Sequence, residues 1–184
     1  MQIVAFIHIP KTAGNSFMKA FSLLNTSVNF KRLSTANGID AQSWQDAYSF
    51  CVVRNPYDRA VSSYYFHVKT DYQGQLMSRY PKLKSYTFEQ YLELRTKYNE
   101  FLLMPQVNFI SRRDGLADVK KILRFESLQQ GIEQINQDLN VKLELEHLNS
   151  SPRPKNYQSF YNETTFKLVS DIYAKDIEAF NYEF

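Results

Sequence analysis

Apolar residues along the chain form two alternating patterns, short continuous runs and helical stripes. Three short, mostly apolar runs have the length of strands buried in a sheet: 3–9, 48–53 and 122–125. Four segments carry apolar residues at helical spacing: 14–24, 56–65, 128–139 and 164–180. Strands that alternate with helices predict an α/β fold, a three-layer α/β/α arrangement with a central parallel sheet. In such folds ligands bind at the carboxyl ends of the strands.

Two sequence signals mark the beginnings of further helices. Asn55 followed by Pro56 matches an N-cap residue and the first helical position. Thr87 with Gln90 three residues later resembles a capping box. No internal repeat, low-complexity tract or Gly/Ser-rich linker interrupts the chain, so we expect one domain over residues 1–184.

Composition narrows the class of protein. The 184 residues are 43% hydrophobic and 15% aromatic, which is enough for a packed core and excludes a disordered, collagen-like or coiled-coil chain. The net charge of +3 favours an anionic ligand, but it is too small to indicate nucleic acid. The single cysteine, Cys51, excludes an internal disulfide and a thiolate-rich zinc site.

The apolar run at the N-terminus predicts a strand and not a targeting or membrane segment. It is too short to span a bilayer, and no basic residues precede it as they would in a signal peptide. No other stretch of the sequence is long and apolar enough to cross a membrane. We therefore expect a cytoplasmic protein.

The first candidate site is the turn Pro10–Ser16, between the first strand and the first helix. Main-chain N–H groups at a helix start point outward beside the positive end of the helix dipole, where an anion binds readily. Lys11 adds an ammonium group, and the hydroxyls of Thr12 and Ser16 are further donors. An ordinary strand-to-helix turn with a Ser/Thr cap is the plainer alternative. Lys11 precedes Gly14 instead of following a glycine, unlike the nucleotide P-loop GxxxxGK[ST], which weakens a kinase or NTPase interpretation.

The second candidate site follows the second strand, in the segment VVRNPYDRAVSSYY. Arg54 comes just after the strand and can direct two N–H donors at a phosphate. Ser62 lies about two helical turns further on and can add a hydroxyl to the same anion. A salt bridge between Arg54 and Asp58 at the helix end is the structural alternative.

Together these segments resemble the sulfotransferase superfamily, in particular its carbohydrate branch, which includes heparan sulfate 2-O- and chondroitin-type enzymes. HIPKTAGNS resembles the 5′-phosphosulfate loop of that family, and VVRNPYDRAVSSYY resembles its 3′-phosphate motif. LRFESL and the segment from HLNSSPR to the C-terminus fit further along in the same order. The resemblance therefore covers almost the whole chain and implies the family's P-loop-like fold.

The resemblance implies a site for 3′-phosphoadenosine 5′-phosphosulfate, PAPS, without a metal. Lys11 would contact the sulfonate and the oxygen that bridges it to the 5′-phosphate. Arg54 and Ser62 would bind the 3′-phosphate. Arg153 would be an anion ligand in the loop 147–153 that closes over the cofactor, although a solvated loop is an alternative there. The 5′-phosphate would be held by backbone groups of Thr12, Ala13, Gly14, Asn15 and Ser16.

The general base of the transfer is not assigned by the sequence. Many relatives carry a His or Glu between the two motifs, and this chain has Leu33 at about that position. Asp40 and Asp46 are carboxylates of the same segment, but either can be a helix cap or a surface charge. We expect His8 to be structural, and His67 to lie at a surface helix end unless it faces the acceptor.

The resulting hypothesis is a PAPS-dependent sulfotransferase with Lys11 stabilising the leaving phosphate. The expected product is 3′,5′-adenosine bisphosphate, and the expected partner is a hydroxyl-bearing acceptor, a sugar or polysaccharide, with no nucleic acid. A non-catalytic nucleotide-binding module is the first alternative, because the base is unassigned. A P-loop-type kinase is the second. The sequence leaves the acceptor and the oligomeric state open.

Overall fold

A computed structural model describes residues 2–24, 28–70, 74–115, 119–145, 153–154 and 156–184. The described residues of 1–54 and 106–149 form one compact unit, and those of 55–105 and 150–184 form a second. The strands and α-helices in chain order are β1 (Ile3–Ile7), α1 (Gly14–Ser22), β2 (Asn29–Leu33), α2 (Ala41–Asp46), β3 (Tyr48–Val53), α3 (Pro56–Tyr64), α4 (Gln75–Arg79), α5 (Phe88–Tyr98), α6 (Val107–Ile110), β4 (Lys121–Arg124), α7 (Leu128–Leu139), α8 (Glu163–Ile172) and α9 (Ala174–Phe180).

The first unit is built on a parallel sheet with the strand order β2-β1-β3-β4. Its central strands β1 and β3 are almost wholly buried, as their continuous apolar runs predict. Because all four strands run in the same direction, their carboxyl ends meet at one edge of the sheet. The turns that follow β1 and β3 therefore lie side by side, and the predicted α/β class with a central parallel sheet is confirmed.

Stacked aromatic rings hold helix α1 against this sheet. The ring of Phe6 on β1 lies 4.9 Å from that of Phe50 on β3 and 5.5 Å from that of Phe17 on α1. Ile132 and Ile135 of α7 belong to the same buried cluster. Burial of a large apolar side chain contributes about 1.5–3 kcal/mol, so this cluster anchors the start of α1 relative to the strands.

Strand β2 and one helix boundary differ from the sequence predictions. β2 was not predicted because its residues NFKRL do not form an apolar run, and the strand lies half-exposed at the sheet edge. The predicted helix 164–180 was wrong as a single helix, since it divides into α8 and α9 at Tyr173. The backbone of Tyr173 leaves helical geometry (φ −111°, ψ 22°), and its buried hydroxyl donates to Leu103 O at 2.9 Å.

The second unit packs α3, α5 and α8 around the buried side chains of Val61, Tyr91 and Val169. Both predicted helix starts are confirmed there. The Asn55 side chain accepts from Tyr57 N at 3.0 Å, and Thr87 forms a full capping box with Gln90. Across the described residues of both units, no helix combines the length and apolar character that crossing a membrane requires.

Candidate functional site

The turn after β1 has an unusual backbone. Lys11 (φ 69°) and Ala13 (φ 66°) both adopt the left-handed conformation, which costs about 1–3 kcal/mol for a non-glycine residue and is found mainly where a site requires it. Ala13 is followed directly by helical Gly14. A left-handed residue beside a right-handed one turns successive N–H groups toward one point and forms an anion-binding concavity. The loop therefore has the backbone geometry of an anion site.

The first turn of α1 has no side-chain cap and no acidic residue. Ser16 N and Phe17 N both donate to Ala13 O, at 3.0 and 3.2 Å. The Thr12 hydroxyl, which the sequence suggested as a ligand donor, instead donates to Ile9 O at 2.9 Å and is fully buried. Thr12 therefore holds the loop in place. Among the described residues, the N–H groups of Gly14 and Asn15 at the helix start have no such bond and are the donors available to an anion.

His8, one residue beyond β1, occupies the space beside Gly14. A Cβ atom added to Gly14 would lie 2.0 Å from His8 Cδ2 and 2.1 Å from His8 Nε2. The absence of a side chain at Gly14 therefore makes room for the imidazole ring beside the loop.

We expect Gly14→Ala to lower the free energy of unfolding by about 1–3 kcal/mol, the usual range for an overpacked site. The affinity for 3′,5′-adenosine bisphosphate, the ligand that the motif resemblance implies, should fall as well, since either His8 or the start of α1 has to move. The double variant Gly14→Ala, His8→Ala removes the ring that clashes and should recover most of both losses. Urea denaturation and calorimetry on the three proteins check this, and a loss of the same size in the double variant would contradict the steric explanation.

The imidazole of His8 is held in one tautomer by Arg32 of β2. Arg32 Nε donates to His8 Nδ1 at 2.9 Å, and Arg32 Nη2 lies 2.6 Å from the same atom. Nδ1 therefore accepts, and the ring proton is on Nε2. Burial, together with the charges of Arg32 and Lys11, lowers the pKa of His8 to about 4. His8 is therefore neutral near pH 7, and its Nδ1 lone pair is already engaged.

Arg54 follows β3 at the carboxyl edge of the sheet and extends toward the turn after β1. Its Nη1 donates to Lys11 O at 3.1 Å, and its guanidinium carbon lies 4.0 Å from the centre of the Phe125 ring. The residue is only 5% exposed. The structure thus brings together the two residues of the first unit that the motifs predicted, Lys11 and Arg54.

Gln106 is a residue of this region that the sequence analysis missed. Its Oε1 accepts from Arg54 N and its Nε2 donates to Arg54 O, both at 2.9 Å, and the side chain is fully buried. Gln106 is 52 positions away from Arg54 in the chain, so neither strand nor helix periodicity relates the two. A buried glutamine is uncommon, but its burial is not visible in the sequence.

Two further residues that the motif resemblance implies, Ser62 and Arg153, belong to the second unit. Ser62 is a buried residue of α3. Arg153 Nη2 forms an ion pair with Asp58 Oδ1 at 2.6 Å, so Arg153 is a partner of Asp58 at this helix end. Within the described part of the chain, the buried Arg153 Nη1 has no hydrogen-bond partner. The rest of the predicted loop, 147–152, lies outside the described residues.

Leu33, at the position where many relatives carry a base, and the other residues considered for that role all have structural surroundings. Leu33 is buried at the end of β2. Asp40 caps α2 by accepting from Ser43 N at 2.9 Å, and Asp46 accepts from Gln42 Nε2 at 3.1 Å. The expectation of a surface position for His67 was wrong, because it is 3% exposed and its Nδ1 lies 2.6 Å from Tyr91 Oη. None of these residues is thereby marked as the base.

The donor groups present fit an anionic nucleotide. In the first unit, the uncapped start of α1 offers N–H groups, which are the groups that phosphate oxygens accept from. In the second unit, taken by itself, Arg153 Nη1 is a buried donor that has no partner among the described residues. No group of three or more His, Cys, Asp or Glu side chains is placed to hold a metal ion among the residues described. The N–H groups at the start of α1 are thus suited to an anion.

Comparison with known proteins identifies a family for this chain. The model of the family described as "Sulfotransferase family" matches residues 2–183, which is nearly the whole chain. No curated protein and no solved structure matches the chain significantly.

Proposed function

The chain belongs to the sulfotransferase family, and on this premise we propose that it transfers a sulfonate group from PAPS to a hydroxyl group of a carbohydrate. One observation supports the donor assignment above the others. The guanidinium of Arg54 bonds to the main chain of Lys11, so the residues that resemble the 3′-phosphate and 5′-phosphosulfate motifs are adjacent. The carbohydrate acceptor rests on the resemblance of these motifs to the carbohydrate branch of the family.

In this proposal the residues after β1 and β3 hold the two ends of the donor. The main-chain N–H groups of 12–16 bind the 5′-phosphate at the uncapped start of α1. Arg54 binds the 3′-phosphate, which distinguishes PAPS from ATP. We extend the proposal to Ser62 and Arg153 on the motif resemblance. The ion pair of Arg153 with Asp58 leaves its Nη1 as a donor for an anion.

PAPS supplies an activated sulfonate, which an acceptor hydroxyl attacks in line with the departing phosphate. Negative charge grows on the oxygen that leaves, so a cation beside it stabilises the transition state more than the ground state. We assign that role to Lys11, whose left-handed backbone lies directly before the anion-binding turn. His8 is neutral and its Nδ1 is occupied by Arg32, so this nitrogen does not take the acceptor proton.

A nucleotide-binding module without catalysis is the second candidate. The observation that favours it is the buried Leu33, which stands about where many relatives carry a base. Such a module would bind PAPS and never transfer its sulfonate.

The test uses PAPS labelled in its sulfonate group and a panel of hydroxyl-bearing acceptors, among them sulfated and unsulfated polysaccharides. We expect label on a carbohydrate acceptor in the presence of EDTA, and much less with adenosine 5′-phosphosulfate as the donor. The Lys11→Ala variant is the control: label that it still transfers measures the background that does not depend on the proposed site.

The possible outcomes separate the candidate functions. Binding of PAPS without transfer to any acceptor would favour the binding module. Activity only with ATP and magnesium would show a kinase and refute the proposal. Transfer to small alcohols or phenols, with none to sugars, would keep the sulfotransferase and reject the carbohydrate acceptor.

A further inference from the structure

We infer that Gln106 and Phe125 act as a clamp that positions Arg54 for the 3′-phosphate, and so contribute to donor selectivity without contacting the donor. This inference rests on the proposed function of Arg54. It concerns two residues outside both motifs, one at the N-cap of α6 and the other in the short 3-10 turn that follows β4.

The first part of the clamp is Gln106, whose side chain extends the hydrogen bonding of the sheet beyond the last residue pair of β3 and β4. The pairing of β3 with β4 ends at Val53 and Arg124, so the peptide groups of Arg54 lie beyond the last strand pair. The amide of Gln106 takes the place of a strand partner, with both Arg54 N and Arg54 O bonded at 2.9 Å. Two bonds to one side chain fix the direction in which the Arg54 side chain leaves the sheet.

The second part is Phe125, which supports the guanidinium group. The guanidinium carbon lies 4.0 Å from the ring centre, close enough for a cation–π contact. On this support Nη1 reaches Lys11 O at 3.1 Å. Arg54 is thus held at its main chain by Gln106 and at its tip by Phe125 and the Lys11 carbonyl.

Such a clamp strengthens phosphate binding because it reduces the rotamer entropy that Arg54 loses on binding. A free arginine side chain loses rotamer entropy when it binds a phosphate, and a side chain already held in the bound geometry loses less. Gln106 is fully buried, and its two bonds are to the main chain of Arg54 and not to the guanidinium N–H groups. A change at Gln106 should therefore weaken recognition of the 3′-phosphate selectively, leaving recognition of the 5′-phosphate in place.

The test compares the affinities of 3′,5′-adenosine bisphosphate and adenosine 5′-monophosphate by calorimetry, and takes their ratio as the selectivity. The variants are Gln106→Leu, Phe125→Leu, Arg54→Ala and the double variant Arg54→Ala, Gln106→Leu. Asn136→Leu is the matched control. Asn136 of α7 makes the same kind of two-bond contact with the main chain of Leu143, at 2.7 and 3.2 Å.

We expect Gln106→Leu to reduce the selectivity by about 10- to 100-fold, the range seen when a partner that orients a metal ligand is removed. Phe125→Leu should also reduce the selectivity for the bisphosphate. Asn136→Leu should leave it within about twofold, as for a distant independent site. In the Arg54→Ala background, Gln106→Leu should cause no further loss of selectivity, because the residue it positions is gone.

An unchanged selectivity in Gln106→Leu, or a further loss in the double variant, would overturn the inference while the role of Arg54 stands. If Gln106→Leu does not fold, Phe125→Leu decides the question, and an unchanged selectivity there overturns the clamp. If the unmodified protein does not prefer the bisphosphate, the proposed role of Arg54 fails and the clamp fails with it.

Discussion

Lys11→Ala is expected to lower kcat about 100- to 1,000-fold, or roughly 3–4 kcal/mol, the usual loss when one preorganised charge-stabilising donor is removed. The affinity for 3′,5′-adenosine bisphosphate should change far less, because the N–H groups at the uncapped start of α1 remain. Alanine suits the test, since Ala13 shows that alanine adopts the same left-handed backbone two residues later. Steady-state kinetics together with product calorimetry separate the two effects.

The control for lost charge is Lys19→Ala, which removes an exposed lysine from the last turn of the same helix. It should leave kcat near that of the unmodified protein. Lys11→Arg should recover only part of the rate, because a planar guanidinium does not replace a compact ammonium at a tight turn. A raised KM for the donor with an unchanged kcat would show that Lys11 contributes only uniform binding.

Arg54→Ala should remove most of the preference for a 3′-phosphate. Truncation of one partner of a buried, hydrogen-bonded charge pair costs about 2–5 kcal/mol, which corresponds to an affinity loss of at least about 30-fold for the bisphosphate. The affinity for adenosine 5′-monophosphate should fall much less, since that ligand lacks the group that Arg54 binds. Calorimetry with both ligands gives the comparison.

Arg113→Ala is the charge-matched control, because Arg113 is an exposed arginine of the same unit. It should leave the preference for the bisphosphate intact. An equal loss for both ligands in Arg54→Ala would mean that Arg54 holds the Lys11 loop through its bond to Lys11 O instead of reading the 3′-phosphate. That result would remove the assignment of Arg54 while leaving the family membership of the chain unchanged.

Local sequence patterns determined most of the fold of the first unit. The apolar runs of β1 and β3 predict buried strands because both faces of a central parallel strand are covered, and the Asn55-Pro56 pair predicts the start of α3 from its own hydrogen bonding. The sequence does not predict β2, because an edge strand needs no apolar run. Tyr173 was predicted inside a helix because its apolar spacing continues across a break that a distant carbonyl helps to hold.

The candidate site shows the same division between local and distant information. Lys11 and Arg54 were predicted because each follows a strand whose end the sequence marks, and the parallel sheet brings such ends together. Other features of the site depend on residues that meet only after folding. These are the hydrogen bond of the Thr12 hydroxyl, the imidazole beside Gly14, and the clamp formed by Gln106 and Phe125. The sequence by itself therefore determined which residues carry charge at the strand ends. Only the tertiary structure decided which neighbours hold those residues in place, because contacts between distant segments leave no periodic signal in the chain.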